Sequence, residues 1–174
     1  AVSLLKKLGY EVKVIDHEES GRSALSKGLL QKAKKHAEAN VRTFEKLIDG
    51  NTPLIGLEPS AILSFRDEYP RIVSPDLVPA AKKLKFHVKL IDEFLGQEVA
   101  AGNIKPESFT SKSQKIKLHG HCHQKALSSL TWTQKILSLP GNYSVETIPS
   151  GCCGMAGSFG YEAEHFELSQ QVGE

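Results

Sequence analysis

The chain reads as an α/β protein with a largely parallel sheet, built from two tandem strand–turn–helix lobes related by duplication. Three observations predict it. Short apolar or alternating runs (Tyr10–Ile15, Pro53–Leu57, Ile116–Leu118, Tyr143–Ile148) alternate with stretches of helical period. The connections have the length of strand–helix loops rather than hairpins. And one segment echoes another without gaps: Tyr10 to Gly21 aligns on Tyr143 to Gly154, with tyrosine, valine, isoleucine and the final glycine coincident.

Each element has its own warrant. Ala1 to Leu8 is amphipathic and stops at Gly9, a left-handed C-cap residue. Tyr10–Ile15 alternates as a strand does, and a polar turn from Asp16 to Arg22 follows. Leu30, Ala33, Ala37, Val41, Phe44 and Ile48 recur at three- and four-residue steps and predict a long helix, closed by Gly50 and Pro53. Pro53–Leu57 reads as a buried strand, and Pro59 sits where a helix begins. Pro70, Pro75 and Pro79 break the next stretch into irregular or briefly helical pieces. A helix carrying Val88, Ile91, Leu95 and Val99 runs to Gly102. Asn103–Ser113 is polar and aperiodic and reads as a linker, dividing the chain into 1–105 and 106–174. Beyond it come a strand at 116–118, a helix over Gln124–Leu139, a strand at 143–148 and a last helix from Ser158.

Bulk composition excludes several classes. A net charge of +2 with ordinary hydrophobic (40%) and charged (24%) content gives no nucleic-acid footprint. The lysines at 32, 34, 35, 82, 83 and 85 alternate with apolar residues as solvated helix faces do. No run approaches the roughly 18 apolar residues of a bilayer span, and no signal-peptide pattern opens the chain. Three cysteines without secreted-scaffold spacing predict a reducing, cytoplasmic setting. The chain opens inside an amphipathic helix without an initiator methionine, as a piece of a longer protein would.

The chemistry concentrates in two turns. Cys122 lies in His119-Gly120-His121-Cys122-His123, and Cys152-Cys153 lies between Gly151 and Gly154, with Gly157 following. Adjacent cysteines do not readily bond to each other, yet can aim two thiolates into one pocket. A third thiol from a histidine-rich turn points to soft-metal ligation rather than covalent stapling. Both turns follow predicted strands, the edge of an open α/β sheet where ligands bind. The glycines at 151, 154, 157 and 160 keep side-chain bulk away, which suits an iron–sulfur cluster better than a lone zinc ion. Two other readings lack support: a phosphate cradle would show G-x-G-x-x-G or G-K-[ST], and a catalytic thiol would need an Asn or Asp partner that no motif supplies. His17, His36, His87 and His165 have no ligand-like company and read as surface residues. Glu19, Arg22, Glu58 and Arg66 read as an ion-pair network rather than a pocket.

At Leu118–Leu127 and Gly151–Gly160 the sequence resembles the cysteine-rich CCG domain family. That family includes the cysteine-rich subunit of heterodisulfide reductase and the iron–sulfur subunits of glycolate oxidase and anaerobic glycerol-3-phosphate dehydrogenase. It also includes a fused form, in which a flavin-binding D-2-hydroxyacid (D-lactate-type) dehydrogenase continues into a ferredoxin-like module and this domain. Glu19–Arg22, Leu25–Leu30, Gly56–Ala61 and Phe65–Tyr69 look most like the fused form. The resemblance spans essentially the whole chain and implies electron transfer from FAD, bound elsewhere in the parent protein, through a 4Fe–4S-type cluster toward a quinone or other acceptor. The implied partners are the flavin domain and ferredoxin-like module, and the implied place is the cytoplasm, peripherally at the inner membrane.

Carried over by position, Cys122, Cys152 and Cys153 are cluster ligands, Gly151, Gly154 and Gly157 line the cofactor, and His123 is an outer partner. His121 and His119 are alternative ligands. Ser20 and Ala61 stand where typical members place thiols, so the first half is expected to hold no cluster. The second half lacks the family's final cysteine motif, so the segment alone is expected to retain no intact cluster, and zinc or nothing in its place. No flavin- or substrate-site pattern is present, so catalysis by this chain alone is not expected. The alternative function is a zinc-binding structural or assembly domain.

Overall fold

A computed structural model describes all 174 residues, Ala1–Glu174. It is a mixed α/β structure with two short parallel sheets rather than one continuous sheet. In the first, β1 (Leu54–Gly56) pairs with β2 (Val88–Leu90), Leu54 opposite Val88. In the second, β3 (Gln114–Leu118) pairs with β4 (Tyr143–Thr147), from Gln114 opposite Tyr143 to Leu118 opposite Thr147.

The N-terminal helices are α1 (Val2–Lys7), α2 (Arg22–Ser26) and α3 (Leu30–Phe44). The stripe predicted on α3 is the one buried: Ala33, Ala37, Val41 and Phe44, with Ile48 just beyond the helix. Leu30, at its first residue, is 60% exposed instead. Ala37, Val41, Phe44 and Ile48 pack with residues of α4 (Pro59–Leu63), α5 (Tyr69–Ile72) and α6 (Val78–Lys85) in a core of 14 buried side chains that includes Leu63, Phe65, Tyr69, Leu84 and Leu90. Glu58 caps α4, accepting from the backbone N–H groups of Ser60 (3.1 Å) and Ala61, and Pro59 occupies the first turn as its locked φ predicts.

Several expectations need correction, among them the buried strand over Pro53–Leu57, which is the half-buried β1 with Leu57 exposed. Tyr10–Ile15 pairs with no strand. Its alternation holds only in part: Tyr10 and Val12 pack against a smaller core of Leu5, Phe94, Leu95 and Ile104, but Val14 is 79% exposed and its neighbour Ile15 turns onto the main core instead. The helix drawn from Val88 begins later, because Val88–Leu90 is β2 and only Ile91–Ala100 is helix, here α7. The helix over 124–139 is two: α8 (Cys122–Leu127) and α9 (Leu130–Leu137). The break has a cause. Ser129 turns its hydroxyl to accept from Thr131 N–H (3.1 Å), capping a new helix, while Ser128 Oγ donates to Glu93. The last helix, expected from Ser158, begins only at Phe166 (α10, Phe166–Gly173), after two 3-10 turns at Phe159–Tyr161 and Ala163–His165.

α9 lies on α7, where Gly96 faces Trp132 so closely that a methyl group at Gly96 would overlap the indole. No helix is long and apolar enough to cross a membrane.

Candidate metal centre

Parallel pairing of β3 and β4 puts Leu118 beside Thr147 at their shared C-terminal end. The His/Cys turn and the Cys-Cys turn therefore leave the sheet side by side. Three contacts tie them: Ile148 N–H to Leu118 O (2.9 Å), Ser150 Oγ to His119 Nδ1 (2.8 Å), and Lys125 Nζ to Gly151 O (3.3 Å). All three cysteines are free thiols and exposed.

The first turn is shaped by Gly120, which is buried beneath Leu130 where a side chain would collide. His121 follows as the N-cap of α8; its Nδ1 accepts from His123 N–H at 3.2 Å, a capping role usually taken by Ser or Asp. Donor atoms of His121, Cys122 and His123 lie within 4.8 Å of one another, with Cys122 Sγ 3.9 Å from His123 Nδ1. Burial, reinforced by the Arg22 guanidinium, holds the His123 imidazole below its usual range and so favours the neutral, ligating form.

Cys152 and Cys153 do not join that compact trio. His119 does not either; it is exposed and held by Ser150. The second turn is wedged between α2 and α10. Gly154 and Gly157 are left-handed (φ 79° and 73°); a methyl at Gly154 would strike the Ser169 carbonyl, and one at Gly157 would lie 2.8 Å from Ser26 Oγ. Backbone and packing thus account for these two glycines without a cofactor. Only Gly151 faces open space.

Around this corner Arg22, Glu58 and Arg66, which the sequence grouped, meet partners that it did not single out. Arg22 pairs with Glu68 (2.8 Å), and Arg66 with Glu93. The network expected among Glu19, Arg22, Glu58 and Arg66 does not form: both arginines pair with other acids, Glu68 and Glu93, Glu58 faces His121, and Glu19 joins no ion pair. Glu58 reaches His121, Oε1 to Nε2 at 3.6 Å. Burial would raise the Glu58 carboxyl, but hydrogen bonds from Ser60 and Ala61 outweigh it and hold it low. The two acids opening α7 clamp the α8–α9 junction. Asp92 accepts from Gln124 Nε2 (2.6 Å) and Thr133 Oγ1; Glu93 accepts from Ser128 Oγ and from Leu90 N–H (2.9 Å). A glutamate three residues into a helix is a legible signal for the last bond; the cross-chain ones had none. Of the four unassigned histidines, His17 is exposed, while His36, His87 and His165 are half-buried, His36 against Glu18 and His165 stacked on Phe159.

The turns that leave this sheet edge carry three thiols and the His121 and His123 imidazoles, donor types that soft and borderline metals take. The chain is similar to parts of several dehydrogenases. One subunit of the anaerobic glycerol-3-phosphate dehydrogenase of Escherichia coli (strain K12) is 26% identical over 175 residues, 99% of this chain and 42% of that protein. The D-2-hydroxyglutarate dehydrogenase of Pseudomonas putida is 31% identical over 174 residues, 98% of this chain and 16% of that protein. That of Haemophilus influenzae is 26% identical over 178 residues, 98% and 17% respectively. The chain spans less than half the length of these curated relatives. No family model matches it, and no solved structure does.

Proposed function

We propose that this chain is the iron–sulfur-binding, electron-transferring part of a flavin-linked 2-hydroxyacid dehydrogenase. The observation that carries the reading is the β3–β4 register, which delivers the Cys122 turn and the Cys152–Cys153 turn to the same edge. The similarity to a dehydrogenase subunit and to longer 2-hydroxyacid dehydrogenases supports it.

In this reading Cys122, Cys152 and Cys153 hold the cluster, which supplies one-electron transfer between FAD and an acceptor such as a quinone. A four-iron centre takes four ligands, so one comes from outside these thiols. His123 lies against Cys122, and the half-buried corner made with Arg22 and Glu68 sets the local charge. The flavin and ferredoxin-like modules are the partners, and the setting is the cytoplasmic face of the inner membrane. Residues 1–105 and 106–174 are the two halves of a duplicated plan. Gly21 and Gly154, which the internal alignment superposes, share left-handed backbone (φ 74° and 79°), which favours duplication.

The test is made in the protein that contains this segment. Replacing Cys152 and Cys153 by serine should remove one cluster's iron and acid-labile sulfide and stop electron delivery to an external acceptor, while flavin reduction by the hydroxyacid continues. Unchanged iron content in that variant overturns the reading.

A further inference from the structure

The compact trio has a geometry of its own, separate from the Cys152–Cys153 turn. Tetrahedral zinc with bonds of about 2.3 Å to sulfur and about 2.0–2.1 Å to nitrogen holds S and N roughly 3.6 Å apart. Cys122 Sγ and His123 Nδ1 stand at 3.9 Å, a few tenths from that spacing. His121 carries the more telling feature. Its Nδ1 accepts a backbone N–H, so this nitrogen has the free lone pair and Nε2 bears the hydrogen. Nε2 faces Glu58 Oε1 at 3.6 Å, too long for a hydrogen bond but close enough to become one on a small ring rotation. Metal-bound histidines characteristically give their second N–H to a carboxylate, which fixes the tautomer. Glu58 is a carboxylate from a separate part of the chain, anchored in place by Ser60 and Ala61.

We infer that His121 Nδ1, Cys122 Sγ and His123 Nδ1 form a three-donor site for a borderline-soft divalent cation such as Zn²⁺, with Glu58 orienting His121, and that neither Cys152 nor Cys153 is required. On binding, His121 exchanges its cap bond to His123 N–H for the metal and the Cys122 thiol loses its proton to solvent; the fourth position stays open. This goes beyond the cluster reading. The cation and the cluster both use Cys122 and are therefore mutually exclusive occupants of one corner.

The experiment is an anaerobic titration of the reduced, metal-stripped chain with Co²⁺, followed by displacement with Zn²⁺. One equivalent should bind, with a thiolate-to-cobalt charge-transfer band of single-thiolate intensity. That band should survive the Cys152→Ser/Cys153→Ser double variant and vanish in Cys122→Ser. Glu58→Gln should weaken binding about 10- to 100-fold. His121→Asn keeps a helix-capping acceptor but removes the imidazole, and should weaken it at least as much with an unaltered far-ultraviolet circular dichroism spectrum. A band lost in the double serine variant, or wild-type affinity in both Glu58→Gln and His121→Asn, overturns the inference. Iron and sulfide content of the cluster-bearing protein is a separate readout, so either reading can fail alone.

Discussion

Residues 30–90 and residues 114–169 each contain a pair of short parallel strands flanked by helices, yet they are held together differently. The first has 14 buried apolar or aromatic side chains in one cluster, with Val88 and Leu90 of β2 almost wholly enclosed. In the second neither strand has a buried residue, and apart from Pro140 the buried side chains, Gln124 and Ser169, are polar. All three thiols lie on the thinly packed part. Stability and chemistry are thus segregated. The region with the reactive groups leans on α7 through Trp132, Asp92 and Glu93 rather than on a core of its own.

The sharpest way to break that contrast is a pair of truncations. Phe44 is 2% exposed at the centre of the first core, and Phe44→Ala should cost about 3–5 kcal/mol through lost burial and a residual cavity. Ile116 of β3 is only half-buried, so Ile116→Ala should cost about 1 kcal/mol. Urea unfolding of both variants checks this; equal losses would mean that the second region has a core after all.

Next in size is the clamp. Glu93 is 5% exposed and paired to Arg66, which also donates to Val88 O (3.0 Å from Nε). Glu93→Ala leaves that guanidinium without its counter-charge and Ser128 without its acceptor, at about 3 kcal/mol. Because Trp132 is the sole tryptophan and packs on α7, its emission should shift to the red in this variant even below the unfolding transition. An unshifted emission would show that α9 stays docked without the clamp.

The same contrast explains what the sequence revealed. Burial with a period leaves a pattern, so α3 was legible from Ala33, Ala37, Val41 and Phe44, and the start of α4 from Pro59. Tyr10–Ile15 shows the limit of pattern: without a partner strand the period of two lapses after Val12, leaving Val14 outside and Ile15 inside. β2 has three residues, too few for any period, and merged with the helix behind it. At the site, the turn residues were readable because glycine, cysteine and histidine cluster visibly. Glu68, Asp92 and Gln124 were not, nor was the pairing of Glu58 with His121, since each acts across 32 or more residues and meets its partner only in three dimensions.

Acid titration should sharpen the picture further. Burial acts to raise the Glu93 carboxyl, but hydrogen bonds from Arg66 and Ser128 and the Leu90 N–H outweigh it, and the folded value is lowered. A lowered carboxyl contributes stability fully above its unfolded value, about 4.3, and loses it as pH falls through the folded value, since the unfolded state then binds more protons. Unfolding free energy should therefore decline as pH drops below about 5, and the decline should be shallower in Glu93→Gln. An identical slope in the variant would assign the acid sensitivity to other carboxylates.

The smallest expected effect concerns Lys125, whose ammonium reaches Gly151 O at 3.3 Å across exposed surface. Lys125→Ala should change global stability by no more than about 0.5 kcal/mol, as for most surface substitutions. The Cys-Cys turn should nonetheless respond. Beyond Gly154, its backbone is fixed by Ser169 and Ser26; between Ile148 and Cys153 it depends on Ser150–His119 and on this lysine. Local opening draws on local contacts, so protease cleavage within 148–153 should quicken while cleavage elsewhere keeps its wild-type rate. If both rates stay the same, the turn is held by Ser150–His119 and the flanking packing alone; if both rise together, the turn opens only when the whole second region does, and the thin packing is cooperative rather than local.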